Sequence, residues 1–427
     1  MKIAFYTLGC KVNQYETQSM REEFARRGHT VVRDDEDFDC IVINSCSVTA
    51  ESDRKTRQQV NKFKREHPNA FVVLTGCMVQ ASEKTGENPD ADIVMGNTDL
   101  IKIADRAESF YKEKNKAFEI CPHTRKEAFN TPSITSFAER TRAYMKIEDG
   151  CERYCTYCII PYARGFVRSK PLSKIKAEAE ALARNGYKEI VLVGINLSAY
   201  GKGEDINLCD AVDCVCKVDG IERVRLGSLE PDHISDEMLM RFKSQKKFCP
   251  QFHLSLQSGS DTVLKRMNRH YDSAFYEDLV LRIRDIFPDS AISTDIMVGF
   301  PGETEREFEE SLNFAERIGF AKTHIFAYSR RKGTVADKME GQISKAVKSE
   351  RSRKMMEIAL ENEEDFLKSL VGKTVSVLFE TYENGKWIGY TKNYAHVEVE
   401  SPLNLNGMLS DVKIISASGE ICKGELT

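Results

Sequence analysis

The sequence predicts an α/β protein in three parts: an open parallel sheet, a partial barrel of six βα units, and a small all-β barrel at the C-terminal end. Two patterns carry that expectation. Short apolar runs alternate with amphipathic stretches over residues 1–118 and again over 143–328, as strands covered by helices require. Residues 371–427 change to brief alternating runs broken by Asn384-Gly385 and Asn406-Gly407, the mark of antiparallel turns. Composition agrees, since 41% of the 427 residues are hydrophobic and 30% are charged, values near the globular average. No apolar stretch nears the roughly 18 residues that a membrane span needs.

The elements follow in order. Residues 2–8 read as a strand, 14–27 as a helix ending at Gly28, 40–44 as a strand, 52–66 as a helix stopped before Pro68, and 71–75 as a strand. This βαβαβ run implies a parallel sheet, and its first segment reads as a strand rather than a signal peptide, so the chain is expected in the cytoplasm. Residues 119–141 carry Pro122 and Pro132 without a sustained period and are expected to link a unit at 1–118 to one at 142–370. Six further strands are expected near 144–147, 190–194, 223–226, 252–256, 292–298 and 324–328, with helices such as 172–184, 273–286 and 304–318 between them. A complete barrel of this type has eight such units. A polar helix over 344–370 then leads into strands near 374–380, 386–390, 396–400 and 411–417.

Net charge is −4, from 62 Lys plus Arg against 66 Asp plus Glu, so a nucleic-acid surface would have to be a local patch. Thirteen cysteines are an odd number at irregular spacing, and in a reducing compartment metal or redox chemistry is the leading explanation for those that cluster. Cys151, Cys155 and Cys158 form a C-x3-C-x2-C loop just after the first barrel strand, where barrel enzymes build their active sites. Three thiolates can hold three corners of an iron–sulfur cubane and leave one iron open; a zinc site or three core cysteines are the alternatives. Cys10, Cys46 and Cys77 each follow the carboxyl end of an expected parallel strand, where ligands of open α/β sheets bind, so they can converge on one cofactor. Gly9 and Gly76, directly before two of them, would admit a bulky group close to the backbone. Cys40, Cys121, Cys209, Cys214, Cys216, Cys249 and Cys422 are expected mainly in core packing.

TLGCKVNQYET at 7–17, NSCSVT at 44–49, TGCMVQ at 75–80, GCERYCTYCIIPYARG at 150–165, LSLQSGSDTVLKRMNRHY at 254–271 and DIMVGFPGETEREF at 295–308 resemble the radical S-adenosylmethionine methylthiotransferases. The resemblance covers nearly the whole chain and marks the tail as a TRAM-like module. It implies that Cys151, Cys155 and Cys158 bind a [4Fe–4S] cluster whose open iron chelates S-adenosylmethionine, and that Cys10, Cys46 and Cys77 bind an auxiliary [4Fe–4S] cluster carrying the sulfur to be inserted. No catalytic residue beyond these ligands is expected, because the hard step belongs to a cofactor radical. Within the family, GCKVNQYET looks most like the branch that acts on N6-threonylcarbamoyladenosine at position 37, next to the tRNA anticodon. The isopentenyladenosine branch, the ribosomal-protein branch and an iron–sulfur RNA-binding or redox-sensing protein are the other readings. Implied partners are a tRNA anticodon stem-loop, a low-potential electron donor such as flavodoxin or ferredoxin, and a sulfur donor; no membrane is implied.

By analogy with radical enzymes, Tyr157, Gly194, Asn196, Ser255 and Gln257, at the ligand loop or the ends of barrel strands, are expected to line the S-adenosylmethionine pocket. Arg54, Lys55, Arg57, Lys62, Lys64 and Arg65 form a basic run on one helix. Arg330 and Arg331, after the sixth barrel strand, are expected to hold the modified nucleoside or its flanking phosphates. Residues 371–427 contain five Lys, no Arg and seven acids, so RNA binding by this module would need help from Tyr382, Trp387, Tyr390 or Tyr394.

Overall fold

The computed structural model describes residues 1–137 and 141–427. Six parallel strands form the first sheet: β1 (Lys2–Thr7), β2 (Thr30–Val31), β3 (Cys40–Ser45), β4 (Phe71–Gly76), β5 (Ile93–Met95) and β6 (Ala117–Glu119), in the order β2-β1-β3-β4-β5-β6. Every residue of β3 and β4 is buried, as expected of central parallel strands covered on both faces. Helices α1 (Lys11–Arg26) and α3 (Ile101–Glu113) press Met20, Phe24, Ile103 and Ala107 onto one face. Helix α2 (Ala50–Glu66), capped by Thr49 Oγ1 accepting from Ser52 N at 3.1 Å, lays Val60 and Phe63 on the other. The three strands and two helices expected from the sequence are present; β2, β5 and β6 were missed because two or three residues show no alternation.

The segment expected as a linker is packed against the body of the protein. Phe129, Ile134 and Phe137 are buried, Tyr15 Oη donates to Pro132 O at 3.1 Å, and the Glu22 carboxylate accepts from the backbone N–H groups of Thr135 and Ser136 at 2.9 Å each. Residues 138–140 of that expected linker lie outside the described residues.

The barrel strands are β7 (Arg142–Lys146), β8 (Glu189–Val193), β9 (Arg223–Leu226), β10 (Gln251–Leu254), β11 (Ala291–Val298) and β12 (Lys322–Ala327). They run parallel in chain order; between β9 and β10 the pairing is split, with Val224 bridging to Phe248 just before β10 and Ser228 and Leu229, just after β9, pairing with His253 and Leu254. The arc stays open between β7 and β12. Its outer helices include α4 (Leu172–Arg184), α5 (Leu208–Cys216), α6 (Asp236–Ser244), α7 (Ser273–Ile286) and α8 (Glu305–Ile318); α8 starts in a Thr304–Glu307 capping box and ends at left-handed Gly319. Helix α9 (Lys345–Lys368) then leads to a closed five-stranded barrel, β13 (Thr374–Glu383), β14 (Lys386–Thr391), β15 (His396–Val399), β16 (Leu409–Ser418) and β17 (Ile421–Leu426).

Two buried arginines dock that barrel on the larger one. Arg223 donates to Tyr390 O at 2.8 Å and Ser376 O at 2.7 Å, while Arg225 donates to Lys392 O at 2.9 Å and pairs with Glu189 at 2.7 Å. Among the described residues, no helix is long and apolar enough to cross a membrane.

Candidate functional site

Parallel pairing of β1, β3 and β4 brings their carboxyl ends level, and with them the three dispersed cysteines. Asn13, on the first turn of α1, marks the meeting point: its Oδ1 lies 3.6 Å from Cys10 Sγ and 4.0 Å from Cys77 Sγ. Cys46 packs beside Gly9, where an added Cβ would stand 3.0 Å from the Cys46 Cβ. Gly76 is needed for a different reason from the one the sequence offers. Its φ is +97°, and a side chain there would strike Ser45 and Asn44 of β3, so the close neighbour is a strand rather than a ligand. Burial raises the Cys46 thiol above its ordinary value and pushes that of Cys77 to about 12. A metal ion, by contrast, favours the thiolate.

The second trio sits on the loop that follows β7. Cys151 N donates to Gly165 O at 2.9 Å and Cys158 N to Cys155 O at 2.9 Å, which folds the loop back on itself. Burial pushes the Cys151 thiol to about 12 and raises that of Cys158, with the other cysteines of the loop adding to the effect. Each trio also has a buried guanidinium against one sulfur: Arg164 Nε is 3.2 Å from Cys77 Sγ, and an Arg269 Nη is 3.3 Å from Cys155 Sγ. Such donors neutralise charge on a ligand sulfur and tune whatever it binds. Neither arginine was singled out from the sequence, although each lies in a cysteine-bearing or barrel motif; a basic residue directly after the apolar run Cys158–Ala163 was the available signal for Arg164.

A buried ionic network runs from Cys77 of the first trio to Asp149, two residues before Cys151. Arg164 holds both carboxylate oxygens of Glu16 on α1 and donates to Asn13 Oδ1 at 2.9 Å, while Lys146 on β7 binds Glu16 and Asp149 at 2.7 Å each. Attraction from Lys146, Arg164 and Arg168 outweighs burial and holds the Asp149 carboxyl well below the usual carboxylate range. Glu148 behaves oppositely. It is fully buried, and desolvation raises its carboxyl to about 8.

The residues expected around S-adenosylmethionine divide between two places. Gly194 and Asn196 close on Glu148: Asn196 N donates to Glu148 Oε2 at 2.7 Å, and a Cβ at Gly194 would come within 2.5 Å of the same oxygen. Among the described residues Glu148 Oε1 and Asn196 Oδ1 are buried acceptors without a hydrogen-bond partner, so the pair suits a cationic donor. Ser255 bonds to Ser228 Oγ at 2.9 Å, and its carbonyl accepts from Arg269. Gln257 is held at φ +74° by backbone bonds to Asp295 and Met297. Tyr157 packs with Val263, Met267, Phe300 and Tyr328, a setting that also fits an ordinary core ring.

A cavity of about 580 Å³ opens beside the first trio, within the 300–1,000 Å³ typical of ligand sites. Cys10, Lys11 and Val12 form one side, Gly194, Ser228, His253 and Asp295 of the larger barrel another, and Tyr390, Tyr394 and His396 of the small barrel a third.

Residues 145–315 match the Radical SAM superfamily, and residues 2–96 match the Uncharacterized protein family UPF0004. The chain is 38% identical to the threonylcarbamoyladenosine tRNA methylthiotransferase MtaB of Thermotoga maritima, over 97% of this chain and 94% of that one. It is 34% identical to the enzyme of the same name from Bacillus subtilis, over 99% and 96%. The chain belongs to the radical S-adenosylmethionine methylthiotransferase family. A further relative in this family, the tRNA-2-methylthio-N(6)-dimethylallyladenosine synthase of Clostridium perfringens, is 34% identical over 98% and 96%. The fold is shared with the radical S-adenosylmethionine methyltransferase TsrM of Kitasatospora setae, at a TM-score of 0.58 and 14% identity over 79% of this chain and 77% of that one. The family uses S-adenosylmethionine and [4Fe–4S] clusters, and two groups of three cysteines, each with an arginine against a sulfur, have the donor chemistry for them.

The surface cations correct the sequence reading in part. Arg331 does not face a ligand: it is buried, and its guanidinium binds the Asp53 carboxylate of α2 and Ser47 Oγ, so it clamps the first sheet unit to the barrel. Burial outweighs that pairing and raises the Asp53 carboxyl to about 6. Arg330 is exposed and pairs with Asp337 at 3.0 Å. The basic run on α2 is a solvated face, with Arg54, Arg57, Lys62, Lys64 and Arg65 each paired to Glu51, Glu87, Glu66 or Asp90. Acids outside residues 54–65 supply those partners, which a count within the run could not show. Tyr390 and Tyr394 stack 4.8 Å apart and turn inward to the cavity, under Arg142 and Arg225, whereas Tyr382 stays exposed beside Trp387.

Proposed function

We propose that the protein converts N6-threonylcarbamoyladenosine at position 37 of tRNA, next to the anticodon, to its 2-methylthio derivative. The observation that carries this reading is the cavity itself, bounded by a cysteine of one trio, by the barrel lumen and by the small β-barrel. In this reading Cys151, Cys155 and Cys158 hold the radical cluster, Cys10, Cys46 and Cys77 hold the auxiliary cluster, and residues 1–118, 142–370 and 371–427 supply the sheet unit, the barrel and a TRAM-like RNA module. When bound, the clusters and S-adenosylmethionine supply the low-potential electron, the carbon radical and the methylated sulfur.

The chain's own residues do the rest. Glu148 Oε1 and Asn196 Oδ1, two buried atoms without a partner in the protein, would hold the ammonium of S-adenosylmethionine, with Glu148 giving up the proton that burial otherwise lets it keep. Arg164 and Arg269 hold fixed positive charge against one sulfur of each trio. Tyr390 and Tyr394 form a stacked aromatic wall of the cavity against which a base would pack, and Tyr382 is exposed on the small barrel. The reaction takes place in the cytoplasm and draws on a low-potential electron donor, such as flavodoxin or ferredoxin, and on a sulfur donor.

The test is mass spectrometry of tRNA nucleosides from a strain lacking the gene, alongside anaerobic incubation of the protein with S-adenosylmethionine and a strong reductant. Loss of 2-methylthio-threonylcarbamoyladenosine in the strain and 5′-deoxyadenosine in the tube support the reading. An intact nucleoside profile in the strain contradicts it, and a protein that makes no 5′-deoxyadenosine is a sensor or RNA binder instead.

A further inference from the structure

The charged side chains that line the cavity are Lys11, Arg225, Asp295, Lys322, Glu363 and Glu420. Four of the six are ion-paired within the protein, and Asp295 has a histidine beside it. Arg225 pairs with Glu189, Lys322 with both Glu363 and Glu420, and Asp295 lies 3.3 Å from His253. Lys11 is exposed to the cavity, and among the described residues its ammonium has no hydrogen-bond or ion-pair partner; it lies 5.9 Å from the centroid of the Tyr144 ring. The wall beside it carries Arg225 and the stacked Tyr390–Tyr394 pair, and the acids that line the same cavity, Asp295, Glu363 and Glu420, make their contacts with His253 and Lys322 rather than with Lys11. A cation left unmatched in a concave site calls for an anionic ligand group, since an apolar one would desolvate the ammonium without replacing its hydrogen bonds.

Position along the chain adds a second constraint. Lys11 directly follows Cys10, on the first turn of α1. On adenine, C2 and the N6 substituent flank the same edge, separated by N1 and C6. A base that presents C2 toward Cys10 therefore presents its N6 substituent to a neighbour of Cys10. We propose that Lys11 is a specificity-determining residue that binds the carboxylate of the threonyl group and so selects the threonylcarbamoyl nucleoside over one with an apolar N6 chain. This rests on the substrate reading given above and adds the residue that enforces it.

The experiment measures affinity of the anaerobic, cluster-loaded protein for four anticodon stem-loop RNAs, carrying at position 37 the threonylcarbamoyl group, its methyl ester, a dimethylallyl group or plain adenosine. Wild type should prefer the free acid to the ester by about tenfold or more, the range of a charge-assisted hydrogen bond. Lys11→Gln should lose that preference while binding the plain loop as before, and Lys11→Arg should retain part of it. A Lys11→Gln variant with the full preference overturns the proposal, as does equal weakening toward all four RNAs, which marks a phosphate contact. Iron and sulfide assays on each variant show whether the cluster next door survived; if it did not, the acid-to-ester ratio on wild type decides alone, and a ratio near one overturns the proposal. Methylthiolation of the dimethylallyl loop in preference to the threonylcarbamoyl loop would instead overturn the substrate reading, an outcome visible in the wild type without any variant.

Discussion

Arg164 shows how one side chain couples stability to the site. It is fully buried, and its guanidinium contacts Cys77 Sγ, Asn13 and Glu16, while Lys146 and Asp149 complete the network. Arg164→Met should cost about 3–5 kcal/mol, because it strands the buried Glu16 carboxylate with half its compensation. Urea unfolding would measure that as a lower midpoint, and a change below about 1 kcal/mol would mean that the network is far wetter than its burial implies. Glu148 gives a pH prediction. Desolvation raises its folded-state pKa from 4.5 to about 8, so between those values the folded protein keeps a proton that the unfolded chain has released. Stability therefore falls as pH rises through that window, with a slope of at most about 1.4 kcal/mol per pH unit from this one group. Glu148→Gln should flatten the decline in denaturation series from pH 5 to 8, measured without S-adenosylmethionine; an unchanged slope would place the carboxyl in contact with water.

At the scale of elements, the two cysteine groups make separable predictions because they sit on different units. Cys155→Ala should leave a folded protein with about half the iron and no 5′-deoxyadenosine, since three thiolates are the minimum for an open cluster. Cys46→Ala should lose a similar share of iron and all methylthio product yet keep some reductive cleavage of S-adenosylmethionine. Iron analysis with chromatography of the cleaved nucleoside checks both, and full methylthiolation by Cys46→Ala would dissolve the group of Cys10, Cys46 and Cys77. Much of this level was legible in the sequence. The cysteine spacings and strand ends placed both trios, and α4 and α7 run over the residues that periodicity indicates, because long amphipathic helices announce themselves. What stayed hidden depended on contacts far apart in the chain: Arg331 meets Asp53 only once the barrel docks on α2, and Lys11 stands unmatched only because every neighbouring charge finds a partner elsewhere. The fifth strand of the small barrel was also missed, since Ile421–Leu426 is short and carries Lys423 and Glu425 in its middle and end.

At the scale of the molecule, the cavity belongs to no single unit. The first sheet unit gives Cys10 and Lys11, strands β10 and β11 of the larger barrel give His253 and Asp295, and the small barrel, fixed by Arg223 and Arg225, closes it with Tyr390 and Tyr394. Removing residues 371–427 would therefore open one wall of the cavity. The central claim is that this shared cavity presents adenosine 37 to a methylthio-transferring site. The most direct test is to incubate the anaerobic, cluster-loaded protein with S-adenosylmethionine, a reductant and a stem-loop bearing threonylcarbamoyladenosine, then digest the RNA and weigh its nucleosides. The account predicts a nucleoside heavier by one methylthio group in place of hydrogen, formed together with 5′-deoxyadenosine. An unmodified loop from a protein that still cleaves S-adenosylmethionine, or transfer only to a loop bearing a dimethylallyl group, would contradict it.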